Sequence, residues 1–124
     1  THCISSAASD VYKRQIKEKY PDQLVMADCA TLEEGIACAG AGADFVGTTM
    51  RGYTPETKGI DDIDFDFIHE LSEKCPAKIL AEGHIHYPEQ AKKALEAGAF
   101  ALVVGGAITR PAEITARFVS AIQK

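Results

Sequence analysis

The chain has 124 residues, 46% hydrophobic and 25% charged, with ten glycines, five prolines and no tryptophan. This is one domain's length, and its apolar share excludes a disordered, collagenous or coiled-coil chain. Thirteen basic against eighteen acidic residues leave a net charge of −5, without the dense basic face of a nucleic-acid binder. No apolar run approaches the roughly 18 residues of a transmembrane helix.

Four apolar runs, each leading into a helical pattern, organise the chain. A helix end at Ile16–Tyr20, closed by Pro21, comes first. Leu24–Ala27 then runs into Asp28, and Thr31 caps a helix whose apolar face is Leu32, Ile36 and Ala39. Phe45–Gly47 runs into Thr48 and Thr49, followed by a polar loop over Gly52–Gly59 that reads equally as a lid or a connection. Asp64 or Asp66 opens a helix carrying Phe67, Ile68, Leu71 and Cys75, stopped by Pro76. Lys78–Ala81 runs into Glu82–Gly83, and Pro88 starts a helix with Ala91, Ala94 and Leu95 facing inward. Ala101–Val104 runs into Gly105–Gly106, and Pro111 opens the last helix, with Ile114, Phe118, Val119 and Ile122.

Continuous short apolar runs read as parallel strands buried on both faces, and strict β/α alternation gives a parallel sheet with right-handed crossovers. Ala41-Gly42-Ala43-Asp44-Phe45-Val46-Gly47 is echoed 56 residues later, from Ala97-Gly98-Ala99 to Val104-Gly105. In both stretches a glycine closes a helix just before a strand. An echo across two βα units favours a (β/α)₈ barrel over an open doubly wound sheet, yet four units do not close one. The expected fold is therefore α/β, half of a TIM barrel. Thr1 in place of Met, with no signal peptide before the domain, adds to the expectation of a fragment.

The cysteines Cys3, Cys29, Cys38 and Cys75 show no C-x-x-C spacing, which leaves no zinc or thioredoxin motif. Reduced thiols in a cytoplasmic protein are expected, with no membrane or nucleic-acid partner. His84 and His86 form an H-x-H, but no third ligand lies nearby, so loop histidines are favoured over a metal.

Active sites of parallel α/β folds gather at the strands' C-terminal ends. That rule brings Asp28, Thr48, Thr49, Glu82 and Gly83 together with Gly105 and Gly106. Carboxylates against an apolar wall suit acid/base work, and Glu82 before a glycine has little structural use. Asp28 has a turn or cap as its alternative, and at least one of the threonines is expected only to pack. Gly105-Gly106-Ala107-Ile108-Thr109-Arg110-Pro111 offers glycine N–H groups, a helix start and a guanidinium, a cradle for an anion. Gly83 supplies its other side, and a plain tight turn is the alternative.

Four stretches together resemble the bacterial N-acetylmannosamine-6-phosphate 2-epimerases. They are Met26-Ala27-Asp28-Cys29-Ala30-Thr31, Val46–Thr49 with Gly52-Tyr53-Thr54, Ile79-Leu80-Ala81-Glu82-Gly83, and Val104–Pro111. They stand in the family's order and spacing from about Ile16 to the C-terminus. The resemblance implies strands five to eight of a TIM-barrel enzyme that interconverts N-acetylmannosamine 6-phosphate and N-acetylglucosamine 6-phosphate, in sialic-acid breakdown, by proton transfer at C2. It implies Glu82 as catalytic glutamate and Asp28 as an aspartate at the catalytic centre. Gly83, Gly105, Gly106 and Arg110, with Thr48, become the phosphate and substrate contacts. It also implies no cofactor, an amino-sugar phosphate as the only small-molecule partner, and a homodimer of the full-length enzyme.

Transfer on two faces of one carbon needs two groups, so Glu82 alone does not suffice. The family's lysine on the third barrel strand and arginine on the second have no counterpart here, so the chain alone is expected to be inactive. Residues 1–15 match nothing in the family and are expected to be a foreign leader, with 16–124 the partial barrel. The rival readings are another phosphate-binding barrel, such as ribulose-phosphate 3-epimerase or an indole-pathway enzyme, and a non-catalytic sugar-phosphate-binding or assembly module, a half-barrel that dimerises to bury its open edges.

Overall fold

The computed structural model describes residues 6–123, with side chains from Asp10 onward; Cys3 and the start of the leading stretch lie outside the described residues. The chain alternates as α1 (Ser6–Lys19), β1 (Met26–Asp28), α2 (Leu32–Gly40), β2 (Phe45–Gly47), a 3₁₀ turn (Pro55–Thr57) and α3 (Phe65–Lys74). It continues as β3 (Lys78–Glu82), α4 (Pro88–Glu96), β4 (Ala101–Val103), the short α5 (Gly106–Thr109) and α6 (Pro111–Ile122). The strands form one parallel sheet in the order β1-β2-β3-β4, the half-barrel arrangement expected. Helix α1 runs unbroken across the boundary placed between Gln15 and Ile16.

Local signals set the helix ends. The Thr31 hydroxyl accepts the Glu34 N–H at 3.2 Å, while the Glu34 carboxylate accepts the Ala30 and Thr31 N–H groups. This reciprocal cap fixes the turn immediately after β1. Asp64 caps α3 by accepting the Phe67 N–H at 3.0 Å. Helices α2 and α4 end alike: the Gly42 and Gly98 N–H groups reach the Ala39 and Leu95 carbonyls, and Ala43 and Ala99 reach Cys38 and Ala94. Both glycines have φ near +100° (+99° and +105°), which a side chain resists. Asp44, two residues past Gly42, accepts the Val25 N–H at 2.8 Å and pairs with Lys17 at 2.6 Å. The Lys17 hydrogen bond, followed by that from Val25, holds the Asp44 carboxyl below the usual carboxylate range.

One face of the sheet carries the core. Ala27, Val46, Ile79 and Ala81 point at the helices and are buried with Phe67, Ile68 and Leu71 of α3. Of the expected face of helix α2, Leu32 and Ala39 pack against the core but Ile36 is exposed. Its buried stripe is Gly35 and Cys38. A Cβ on Gly35 would stand 2.6 Å from Leu71 Cδ2, so α2 lies too close to α3 for a larger side chain. In α4, Ala94 is buried but Leu95 is exposed. No residue of α6 is buried, and the helix packs mainly on α5.

The second face of the sheet departs from expectation. Strands buried on both sides were expected, but helices lie on one side only, leaving Met26 43% and Val103 39% exposed on the other. The continuous apolar runs are those of a barrel wall whose inner face is open.

The cysteines Cys29, Cys38 and Cys75 are free and buried. Burial pushes the Cys29 thiol up to about 12 from its ordinary 9.0. Its neutral form therefore stabilises the fold fully below pH 9, and this contribution is lost as pH rises from about 9 towards 12. In urea titrations, wild-type stability should fall more steeply over that window than that of Cys29→Ala. Equal slopes would contradict the burial argument.

Candidate active site

The register of the strands builds the site. Asp28 pairs with Gly47, and Glu82 ends β3 opposite Val103. Both carboxylates close their strands, which end one residue later than the apolar runs indicated, and both point to the open face. A Cβ on Gly47 would lie 2.6 Å from Met26 Cε and 2.8 Å from Asp28 Oδ1. Only glycine lets the Asp28 side chain lean across β2.

What it leans towards is Thr49. The Thr49 Oγ1 lies 2.9 Å from Asp28 Oδ1 and 2.9 Å from Glu82 Oε2. A hydroxyl has one proton to donate and lone pairs to accept with. Thr49 therefore donates to one carboxylate while accepting from the other when that one carries a proton. The three side chains form a relay through which a proton taken up by Glu82 can pass towards Asp28. Neither the spacing nor the composition of the sequence singled out Thr49 over its neighbour.

Thr48 does something else. Its hydroxyl donates to the Glu82 carbonyl at 2.8 Å and accepts the Glu82 N–H at 3.0 Å, and the residue is buried. Thr48, expected as a substrate contact, forms a strut that locks the end of β2 to the backbone of Glu82. Of the two threonines, it is Thr48 that is fixed structurally and Thr49 that meets the carboxylates.

Beyond Glu82 the chain turns sharply. Gly83 has φ +91° and His84 φ +57°, the latter a left-handed conformation that costs a non-glycine residue roughly 1–3 kcal/mol. The His84 ring stacks on Tyr53 with centroids 5.1 Å apart and planes 7° apart, and its Nε2 is buried without a hydrogen-bond partner. This stack ties the loop after β2 to the turn after β3, which neither histidine spacing nor the H-x-H pattern foretold. Gly52, at φ +88°, allows the same loop to press against the Ile60 carbonyl.

Arg51 anchors the loop's other side. Its Nε and Nη2 both donate to Asp64 Oδ2, at 3.0 and 2.8 Å, and its guanidinium lies 4.4 Å over the Phe67 ring.

The anion-binding end has the expected residues in a modified form. Gly105 precedes the one-turn helix α5, so two helix starts follow the diglycine rather than one. Arg110 is exposed and donates to Glu113 Oε1 at 2.8 Å. The hydrogen bond from Arg110 holds the Glu113 carboxyl below its ordinary range, and Glu113 in turn raises the guanidinium further. A cleft of about 450 Å³ joins Glu82 and Gly83 to Gly105, Gly106 and Arg110, the size range of small-molecule sites. Asp28 reaches this cleft only through Thr49.

The site is thus built on a parallel β/α barrel wall, with carboxylates at the ends of β1 and β3 and a glycine–arginine turn after β4. The profile of the NanE family, N-acetylmannosamine-6-phosphate epimerase, matches residues 5–124, and the chain belongs to that family. The match begins within the stretch expected to be foreign. The chain is 50% identical over 113 residues to a protein of Caldanaerobacter subterraneus that carries the name N-acetylmannosamine-6-phosphate 2-epimerase. That alignment takes in 91% of the chain and 48% of the relative.

It is 44% identical over 122 residues to a protein of the same name from Borreliella afzelii, covering 96% of the chain and 53% of the relative. The solved structure of the Clostridium perfringens N-acetylmannosamine-6-phosphate 2-epimerase superposes with a TM-score of 0.80 at 44% identity, over 90% of this chain and 49% of that one. An inosine 5′-monophosphate dehydrogenase from Legionella pneumophila shares the fold alone, with a TM-score of 0.66 at 22% identity over 78% of this chain and 31% of that one. The chain spans about half the length of the curated relatives it matches. No helix among the described residues is long and apolar enough to cross a membrane.

If Thr48 is a strut, Thr48→Val should lower stability by about 1–2 kcal/mol by leaving the Glu82 amide and carbonyl unpaired. Thr48→Ser should cost clearly less. Urea midpoints decide, and equal midpoints for Thr48→Val and wild type would contradict the assignment.

Proposed function

We propose that this chain supplies the carboxylate and phosphate-binding half of an enzyme that interconverts N-acetylmannosamine 6-phosphate and N-acetylglucosamine 6-phosphate. The observation that carries the reading is the Thr49 hydroxyl lying 2.9 Å from both Asp28 and Glu82, at the mouth of a cleft that leads to Arg110. Family membership supplies the substrate, and the geometry supports the roles.

In this reading the sugar is bound in its open-chain form, where the C1 carbonyl makes the proton on C2 acidic. Glu82, with a free carboxylate edge towards the cleft, removes or returns that proton on one face. Thr49 and Asp28 accept the charge change through the relay, so the carboxylate that receives a proton is never left without a partner. The Thr48 strut fixes the Glu82 backbone and keeps its carboxylate from swinging out of reach, as a positioned base requires. The opposite face of C2 needs a second acid/base group, and in the complete barrel this comes from outside the four βα units described.

At the other end of the cleft, the phosphate is held by the N–H groups of the Gly83 and Gly105–Gly106 turns and by Arg110. Arg110 meets the phosphate by exchanging Glu113 for it, an exchange between two anions on one guanidinium. No cofactor enters the scheme, because a carbonyl next to C2 supplies the acidity that the proton transfer needs.

The free and buried Cys29, Cys38 and Cys75 support a cytoplasmic setting. A homodimer of the complete enzyme belongs to the same reading; the exposed Phe118 and Ile122 of α6, at 72% and 80%, support it.

The test joins this chain to the part of the Clostridium perfringens relative that it does not cover. The joined protein should exchange the C2 hydrogen of N-acetylmannosamine 6-phosphate for solvent deuterium, and Glu82→Gln should slow that exchange at least ~100-fold. Exchange unchanged by Glu82→Gln would sink the role of Glu82.

A further inference from the structure

The anion-binding end of the cleft already holds an anion of its own. Glu113, in the first turn of α6, lines the same cleft as Glu82 and Gly83 and reaches back to the turn after β4. Its Oε1 accepts from Arg110 Nη1 at 2.8 Å. Its Oε2 lies against Gly106, where a Cβ would stand 3.4 Å from it and 3.2 Å from Arg110 Cδ. A side chain on residue 106 would therefore crowd the guanidinium and the carboxylate where they fold down together.

Positive groups surround this carboxylate. The Arg110 hydrogen bond acts first in holding it below the usual range, and the charges of Arg110, Arg117 and His86 act in the same sense. Arg117 stands four residues further along α6, one helical turn away, a spacing at which side chains meet. Its Nη2 donates to the Ala107 carbonyl at 3.2 Å. A guanidinium has five N–H donors, so this bond leaves Arg117 others for a carboxylate. Glu113 thus has a second place to go on its own helix.

The two roles open to Glu113 differ in the sign of their effect. An acidic residue in the first turn of a helix ordinarily serves the helix dipole, and its loss weakens the fold alone. A carboxylate seated on the guanidinium that a phosphate must reach is a competitor, and its loss tightens phosphate binding. The placement favours the second role. The carboxylate sits on Arg110 and against Gly106, and no side chain caps the start of α6.

We propose that Glu113 is a built-in competitor for the substrate's phosphate, holding Arg110 until the phosphate displaces it and so setting how tightly the substrate is held. The proposal rests on the reading of Arg110 as a phosphate contact. A phosphate brings about two negative charges at neutral pH and three accepting oxygens, against the single charge of a carboxylate. It takes the guanidinium, and Glu113 swings towards Arg117. When the product leaves, the carboxylate returns, so Arg110 has an anion at each stage. Substrate and product of the proposed reaction carry the same phosphate. A tighter grip on it would hold both alike and would not speed the chemical step.

The test uses the joined protein, with inorganic phosphate as the probe and calorimetry as the readout. Glu113→Gln keeps the size of the side chain and removes its charge. It should bind phosphate about fivefold more tightly than wild type, the scale of an exposed ion pair no longer competing. The KM for N-acetylmannosamine 6-phosphate should fall by a similar factor. Arg110→Ala should weaken phosphate binding. Adding Glu113→Gln to Arg110→Ala should then gain less than about twofold, because the guanidinium that the two anions contest is gone.

Equal or weaker phosphate binding in Glu113→Gln would overturn the proposal. So would a full fivefold gain in the Arg110→Ala background, the mark of general repulsion rather than competition. Phosphate binding unaffected by Arg110→Ala would remove Arg110 as the contact and the competition with it. If Glu113→Gln tightens phosphate binding in a joined protein that exchanges no C2 hydrogen, the competitor stands and the proposed function alone is contradicted.

Discussion

Adjacent hydroxyls at the end of β2 organise the site. Thr48 turns inward and takes both backbone groups of Glu82, and Thr49 turns outward and takes the carboxylates of Glu82 and Asp28. Successive residues of an extended chain point to opposite sides, so the pair divides its work by strand geometry alone. Three strands converge on these two residues: β1 through Asp28, β3 through Glu82, and β2 that carries them. The empty space that Asp28 needs is left by Gly47, and the sharp departure of the chain after Glu82 is permitted by Gly83 at φ +91°. Replacing either threonine by an apolar residue would therefore have different consequences, one for the placement of a strand end and the other for the traffic of a proton.

The repeat in the sheet explains why the site lies where it does. Asp28 and Glu82 are equivalent residues of two equivalent strands, and β2 lies between them. An acid pair flanking one intervening strand is thus what a two-unit repeat produces when each odd strand ends in a carboxylate. The second repeat has diverged where phosphate is proposed to bind. Val104-Gly105-Gly106 follows β4 where Thr48-Thr49 follows β2. In the proposed reading, hydroxyls serve proton transfer in one copy and bare backbone serves an anion in the other.

Much of this was legible in the residues themselves. The four apolar runs, the capping Thr31 and Asp64, and the paired glycines at Gly42 and Gly98 all carry local physical signals, and the structure uses them as read. The carboxylates were also legible, because an acidic residue at the end of an apolar strand has few other uses. Four features were not.

The buried stripe of α2 is set by how closely α3 approaches, so Gly35 rather than Ile36 faces inward, and no periodicity within α2 encodes that distance. The division of labour between Thr48 and Thr49 depends on the register of β2 against β3, a relation between segments far apart in the chain. The His84–Tyr53 stack likewise joins two loops and rests on a left-handed histidine that sequence patterns do not mark. Continuous hydrophobicity in the strands suggested burial on both faces. It encodes a barrel interior, and the face meant for that interior is the open one.

The central claim is that the Thr49 hydroxyl carries protons between Glu82 and Asp28. It is tested most directly by comparing Thr49→Ser and Thr49→Val in the joined protein, following deuterium uptake at C2 of N-acetylmannosamine 6-phosphate. Serine keeps the hydroxyl and should retain exchange within a few fold, whereas valine keeps the shape and should lose about 100-fold with little change in KM. Exchange in Thr49→Val as fast as in wild type would contradict the relay.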